Sequence, residues 1–197
     1  MAAVTLPTLP RSVEYTIREI NRDRALEPVC GGDESLIQRI GTKHEIVVNV
    51  PAIASECCGP ALIAALSLGK SAGAVMPIPE PKVPDAPYGT PLVKGAGQQG
   101  SSLLIDGLTP SVIIPVGKWL SVIISGRRYA YFTTAEVIAD EDGEATLPLY
   151  PMIRRSPADN AVVELAAPMI EGRVILSDRD VRRIGVMSFS FTLRERG

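Results

Sequence analysis

The sequence predicts a mainly β protein that has one helix and a small β-barrel inserted between the two ends of the chain. Three observations lead to this prediction. Strand-like apolar patterns recur along the chain, 17 glycines and 17 prolines mark many turns, and a proline-rich stretch interrupts the pattern in the first half. With 197 residues, 46% of them hydrophobic, the chain can bury one sizeable core or two small ones.

The N-terminal part of the chain, residues 13–49, has the pattern of two or three strands. Val13, Tyr15 and Ile17 alternate with polar residues, as in a strand that has one buried face. An uninterrupted apolar run at 46–48 follows four polar residues and has the continuity of a buried strand. These strands are the predicted start of a sheet.

A helix is predicted directly after these strands. Pro60 is a favoured first helical residue, residues 61–68 suit a helix, and Gly69 is expected to end it in a left-handed conformation. Three apolar side chains of the helix are expected to face a sheet: Leu62, Ile63 and Leu66.

A stiff connector follows at 77–87, where five prolines in eleven residues exclude a helix or a central strand. Beyond it, short strands at turn-limited spacing are typical of a small closed or nearly closed β-barrel. Ser125-Gly126 and Asp142-Gly143 are expected to form tight hairpin turns. The predicted barrel strands are 102–106, 119–124, 127–133, 136–139, 144–149 and 161–165.

The C-terminal stretch 186–194 has the alternation of a half-buried strand, and its apolar face requires a partner sheet. The N-terminal sheet is the expected partner. Both chain ends should therefore form one domain, residues 1–87 with 166–197, around an inserted barrel domain, residues 88–165. The apolar face of the last strand consists of Met187, Phe189, Phe191 and Leu193.

No motif indicates an active site, and no catalytic, cofactor-binding or metal-ligating residue is predicted. Residues 95–100 match G-x-G-x-x-G, but a strand-length segment follows instead of a phosphate-binding helix, so a loop is expected. Residues 140–144 resemble the start of a calcium loop, but Pro151 occupies a required ligand position, which favours a hairpin turn. The protein is not expected to be an enzyme.

The single histidine and the three cysteines agree with this interpretation. His44 cannot share a catalytic relay with a second imidazole, and no G-x-S-x-G nucleophile motif occurs. Cys57 and Cys58 are adjacent, Cys30 is isolated, and the three lack the C-x-x-C spacing of redox and zinc motifs. Reduced, buried thiols are expected, and any further role of these cysteines stays open.

A cluster of basic and aromatic residues on the predicted barrel strands raises one alternative function. Such interleaving is typical of barrels that bind single-stranded nucleic acid on stacking platforms. Alternation directs several of these residues into the barrel, and nearby acidic residues would oppose phosphate, so a structural role is favoured. The residues are Lys118, Trp119, Arg127, Arg128, Tyr129, Tyr131 and Phe132.

Net charge and hydropathy exclude further function classes. Twenty Lys and Arg residues against 22 Asp and Glu residues leave a net charge of -2, which disfavours a dedicated DNA-binding protein. The N-terminus has no recognisable signal peptide, and no apolar stretch reaches the ~18 residues of a membrane span. An unexported protein without a membrane segment is expected.

A set of short motifs occurs in a fixed order along residues 11–197. The stretch 38–44 precedes the predicted helix, and the stretch 73–77 follows it. The later motifs are Gly107–Pro110, Gly126–Tyr129, Ala139–Leu147, Pro151–Arg154 and Pro168–Gly172. In this order the motifs resemble those of the distal tail (Dit-type) proteins of long-tailed bacteriophages and related gene transfer agents.

The resemblance implies a tail-tube-like β domain built from both chain ends and an appended barrel. The barrel would be similar to an oligonucleotide-binding (OB) fold in shape rather than activity. It also implies a homohexameric ring in the virion, assembled in the host cytoplasm, that joins the tail tube protein to the baseplate hub protein. DNA would cross its lumen without specific binding, and the family supplies no catalytic residues or cofactors.

Overall fold

The computed structural model describes residues 2–10, 12–27, 31–37, 39–54, 59–80, 86–182 and 186–196. The predicted fold class is confirmed at this level: the protein is mainly β, with half of the described residues in strands and one helix among them. The described strands form two six-stranded sheets and two short two-stranded ribbons. Cys30, Cys57 and Cys58 lie outside the described residues, as do residues 81–85 of the proline-rich connector.

The first sheet, called here the open sheet, combines strands from both ends of the chain. Its spatial order is β1-β6-β15-β16-β5-β2, with β1 parallel to β6 and every other neighbour antiparallel. Its strands are β1 (Val4–Thr5), β2 (Glu14–Ile20), β5 (Lys43–Ala54), β6 (Ala74–Pro77), β15 (Met169–Arg182) and β16 (Val186–Glu195).

The second sheet, called here the barrel, is formed entirely by residues between β6 and β15. Its order is β14-β10-β11-β13-β8-β7, and a bridge between Leu92 and Val162 brings its two ends together. The predicted, nearly closed barrel is therefore present. Its strands are β7 (Gly89–Val93), β8 (Ser102–Leu108), β10 (Trp119–Ile124), β11 (Arg127–Thr133), β13 (Ala145–Tyr150) and β14 (Val163–Glu164).

Two antiparallel ribbons project from these sheets. One joins β3 (Arg24–Leu26) to β4 (Ser35–Ile37), so the region 13–49 contains four strands instead of the predicted two or three. The other joins β9 (Ile113–Ile114) to β12 (Val137–Ile138). The division of the chain into two separately folding domains stays a prediction.

The helix α1 (Gly59–Ala72) is longer than predicted, and the expected end at Gly69 is wrong. Gly69 is buried inside the helix, where a Cβ atom would lie 2.8 Å from Val174 Cγ2. This glycine therefore permits close packing against β15 instead of a left-handed turn. The chain reverses at Gly73, which has a φ of 94°. The side chains of Leu62 and Leu66 are buried as predicted, and Ile63 packs against the same core.

The C-terminal strand behaves as its alternation predicts. The four apolar residues listed for β16 are buried, and β16 pairs with β5 from the N-terminal half of the chain. The hairpin at Ser125-Gly126 is also confirmed, with a positive φ at both residues. The hairpin predicted at Asp142-Gly143 is wrong, because β12 pairs with β9 and not with β13. Those two residues instead form a turn that Asp140 closes.

Candidate functional site

A buried carboxylate, Glu195, lies where the barrel meets the open sheet. Its side chain is inaccessible to solvent and forms an ion pair with Arg154, with Nη1 of the arginine 2.6 Å from Oε2. Two backbone N–H groups also donate to it, those of Ala130 in the barrel (2.8 Å) and His44 in the open sheet (3.2 Å). One carboxylate thus connects both sheets, and its charge is balanced inside the protein.

Arg154 is held in this position by several groups of the barrel. Its guanidinium donates to the carbonyl oxygen of Ala130 and lies over the rings of Tyr129 and Tyr131, 5.4 and 5.3 Å from the centroids. Burial is the largest single effect and lowers the pKa of Arg154, but the contacts with Glu195 and Tyr131 together exceed it, so the pKa is raised and the side chain stays charged. This arrangement fixes an orientation and offers no free acid or base.

His44 is buried in a row of aromatic rings beside this ion pair. Its ring meets Trp119 edge to face at 4.7 Å, and Trp119 contacts Phe132 at 5.2 Å. Neither imidazole nitrogen has a hydrogen-bond partner among the described residues. Burial, with a smaller effect of the Arg154 charge, lowers the pKa of His44 to about 3. His44 is therefore a neutral packing residue at ordinary pH.

Two further carboxylates, Glu80 of the connecting chain and Glu164 of β14, bind residues of the barrel. Glu80 accepts from Lys118 Nζ (2.6 Å) and from the backbone N–H of Trp119 (3.0 Å). Glu164 binds the guanidinium of Arg128, and Ser121 donates to the same carboxylate. Glu80 therefore ties the connecting chain to the barrel, and Glu164 joins β14 to β10 and β11 within the barrel.

The structure places the residues of the nucleic-acid alternative mainly at this junction and in the barrel core. Tyr129 and Tyr131 are buried, Lys118 is 4% exposed, and Trp119 packs on His44. Arg128 forms an ion pair with Glu164, so Arg127 is the one member of the cluster that is fully exposed. These side chains do not form an exposed stacking platform.

The two motifs that resemble ligand sites are loops with local hydrogen bonds. Residues 95–100 lie outside helices and strands as predicted, and the Gln98 amide is bound by the backbone of Lys94 and Leu104. Asp140 accepts the backbone N–H groups of Asp142 and Glu144. No group of three or more potential metal ligands occurs among the described residues. Within that same part of the chain, no helix has the length and apolar character needed to span a membrane.

The open sheet ends at β2, and this strand is unusually exposed. Six of its seven residues are exposed, including Tyr15 and Ile17, and its outer edge pairs with no described strand. Tyr15 and Ile17 lie opposite the buried Val48 and Ile46, on the face that elsewhere forms the core. The edge therefore has both unpaired backbone groups and apolar side chains available for a partner.

The β3–β4 hairpin extends this exposed region. All six of its strand residues are exposed, and apolar side chains lie on both of its strands. Clusters of exposed apolar side chains are typical of interaction sites, so the hairpin is a candidate contact surface. The exposed apolar side chains of the hairpin and its base are Leu26, Leu36, Ile37 and Ile40.

Sequence reasoning missed the Glu195 cluster and the apolar hairpin. Glu195 is 151 residues from His44 and 65 from Ala130, so no local pattern could join them. The one available signal was a lone carboxylate on the alternating apolar face of the last strand. No protein-family model matches the chain, and no curated protein matches it significantly.

Proposed function

We propose that this protein is a structural subunit that forms a hexameric adaptor ring at the distal end of a phage-type tail. The ring would join the tail tube protein to the baseplate hub protein, as part of the virion after assembly in the host cytoplasm. The open sheet would be the tail-tube-like, ring-forming part, and the barrel would be an OB-like appendage without catalytic function. The proposal combines the resemblance of the motif order with the exposed surfaces described above.

The observation that carries the proposal is the exposed apolar edge formed by β2 and the β3–β4 hairpin. Edge strands that expose apolar residues are a liability in a monomer but supply backbone pairing and apolar area in an assembly. The charged residues Glu14, Arg18 and Glu19 on β2 restrict pairing to a complementary edge. A subunit that assembles in a fixed geometry requires this combination.

The interior contacts support a passive role for the junction between barrel and sheet. The side chains of Glu195 and Arg154 are buried and bind each other, and the buried ring of His44 packs against Trp119. Such a junction holds two parts of a subunit in one orientation, which an adaptor between two different rings needs. It offers no exposed nucleophile, acid or base at that position.

Charge supports the passage of DNA without tight binding. Six copies carry a formal charge of about six times -2, so a passing duplex would meet net repulsion over the ~8 Å Debye length of physiological salt. The alternative is a monomeric barrel that binds single-stranded nucleic acid through Trp119 and Tyr129. Their packing at the junction and in the core argues against it.

Negative-stain electron microscopy of the purified protein, combined with a DNA-binding assay, tests the proposal. We expect rings of six subunits with a central opening and only weak, salt-sensitive affinity for single-stranded or double-stranded DNA. A monomer that binds single strands at nanomolar concentration in about 150 mM salt would contradict the adaptor function and support the alternative.

A further inference from the structure

Two adjoining depressions beside the barrel form one strongly basic groove. The first, about 450 Å³, is lined by Arg22, Arg39, Ile40 and Lys43, with Arg154 and Gly41. The second, about 350 Å³, shares Lys43 and adds Arg127, Arg173, Ile175, Arg194 and Arg196, with the buried Glu195. We call this surface the basic groove.

The positive charge of the basic groove is not balanced by the groove itself. The charge of Glu195 is balanced by its ion pair with Arg154, and the charge of Glu45 is balanced by its ion pair with Arg194. Arg173 lies directly opposite Arg194 in the sheet register, and both are exposed. Placing two arginines opposite each other is unfavourable in an isolated sheet, and an acidic partner would reverse that cost.

The chain also has a surface of opposite charge around the β9–β12 ribbon. Around the β9–β12 ribbon, Glu136, Asp140, Glu141 and Asp142 are all exposed, and none forms an ion pair with a described residue. Asp140 holds the turn through two backbone N–H groups, so the carboxylates project from a fixed loop. We call residues 113–116 and 136–142 the acidic ribbon.

Both surfaces carry exposed isoleucines among the charges. Ile40 and Ile175 line the basic groove with 66% and 44% exposure. On the acidic ribbon, Ile113 and Ile138 are cross-strand partners with 51% and 59% exposure. Apolar side chains among the charges favour a protein surface over a phosphate backbone as the occupant of the groove.

We infer that the acidic ribbon of one copy docks into the basic groove of the next copy. Both surfaces stay exposed in one chain, so they do not satisfy each other within it. Two complementary surfaces on one subunit make a head-to-tail contact, which closes into a ring when the rotation allows it. The inference rests on the proposed ring and adds the side chains that set its register and direction.

Charge-reversal variants test this contact. The groove variant is Arg127→Glu with Arg173→Glu, and the ribbon variant is Glu141→Lys with Asp142→Lys; all four residues are exposed. Each variant alone would place like charges in contact, so we expect at least about a tenfold loss of assembly affinity in about 150 mM salt. Light scattering measures the assembly, and circular dichroism confirms that each variant is folded.

Mixing the two variants in equal amounts gives the decisive result. In the mixture, the glutamates in the groove of the groove variant meet the lysines on the ribbon of the ribbon variant. The unchanged acidic ribbon of the groove variant meets the unchanged basic groove of the ribbon variant, so rings of alternating subunits should form. The matched control for the groove variant, Lys70→Glu with Arg155→Glu, makes the same change in net charge at exposed positions outside the groove and should assemble like the wild type.

The possible outcomes separate this inference from the proposed function. The docking would be wrong if each variant alone still formed rings, or if the folded variants did not assemble when mixed. Neither result would contradict the ring that the wild-type protein is proposed to form. If the groove variant still forms rings and has lost only DNA affinity, the occupant is phosphate and the inference is wrong. A monomeric wild-type protein would contradict both.

Discussion

The barrel and the open sheet both have six strands, but they differ in whether the ends of the sheet are paired. In the barrel, Leu92 pairs with Val162 across the ends of the sheet, so the polar groups there find partners within the chain. In the open sheet, β2 ends the sheet with almost every residue exposed. The barrel is a complete unit by itself, whereas the open sheet presents an edge that another chain can complete.

Under the proposed function, this difference identifies the open sheet as the part of the molecule that would assemble. Both sheets have well-filled cores, and residues from the barrel, Trp119 and Ala130, contribute to the core of the open sheet. The exposed edge is therefore not the result of a poor core. It is a localised surface, formed by β2 and the β3–β4 hairpin, on an otherwise well-packed protein.

Removing the barrel is the most drastic way to test the comparison. The chain leaves the open sheet at Ile78 and returns at Pro168, whose carbonyl oxygen accepts from the N–H of Ile78 (2.9 Å). Deleting residues 88–165 and joining the ends by a short Gly/Ser bridge should leave a folded sheet that melts cooperatively at a lower temperature. Circular dichroism melting measures this, and complete loss of structure would contradict the two-domain division.

Glu195→Gln should cause the largest effect of a single substitution. It leaves the buried Arg154 guanidinium without a counter-charge, which typically costs about 3–5 kcal/mol. Urea denaturation at neutral pH measures the loss. The control is Glu144→Gln, whose partner Lys94 is well exposed, and it should change the free energy of unfolding far less. Equal effects of the two substitutions would contradict the role of Glu195 at the junction.

Leu66→Ala tests the packing of the helix on the open sheet. Leu66 is fully buried, so the cavity should cost about 2–5 kcal/mol of unfolding free energy. Leu68 lies two residues further along the same helix and is 60% exposed, so Leu68→Ala should cost less than about 1 kcal/mol. Tolerance of Leu66→Asp would show that the helix is not packed as described.

His44 should make stability depend on pH. The pKa of His44 is about 3 in the folded protein against 6.5 for the ordinary side chain, so the unfolded chain takes up a proton first as the pH falls. Stability is then fully present above about pH 6.5 and decreases below it, by about 2 kcal/mol between pH 7.5 and pH 5. His44→Phe keeps an aromatic ring and should lack this component. If the free energies of unfolding of the wild type and of His44→Phe changed with pH to the same extent, this role of His44 would be contradicted.

The sequence predicted those parts of the fold that local patterns determine. The alternation at 186–194 predicted β16 with its buried face, and Pro60 with the apolar spacing after it predicted the helix. Ser125-Gly126 predicted a hairpin because a glycine tolerates the positive φ that a tight two-residue turn requires. Local chemistry was sufficient in each of these cases.

The remaining features depend on contacts between distant segments. Gly69 has the composition of a helix end, but its close approach to Val174, over 100 residues away, keeps it helical. Asp142-Gly143 has the composition of a hairpin turn, but β12, the strand before it, pairs with β9 instead of β13. The exposed edge was not predicted, because the exposure of Tyr15 or Leu36 depends on which surfaces the rest of the chain covers.

The molar mass of the protein in solution tests most directly whether the exposed edge is an assembly surface. By light scattering we expect about 126 kDa for the wild type, six times the 21.0 kDa of one chain. The variant Ile17→Asp with Leu36→Asp should be a folded monomer of 21.0 kDa. Leu68→Asp, at a residue as exposed as Leu36, should keep the wild-type mass. A wild-type monomer, or a double variant that keeps the full mass, would contradict the account.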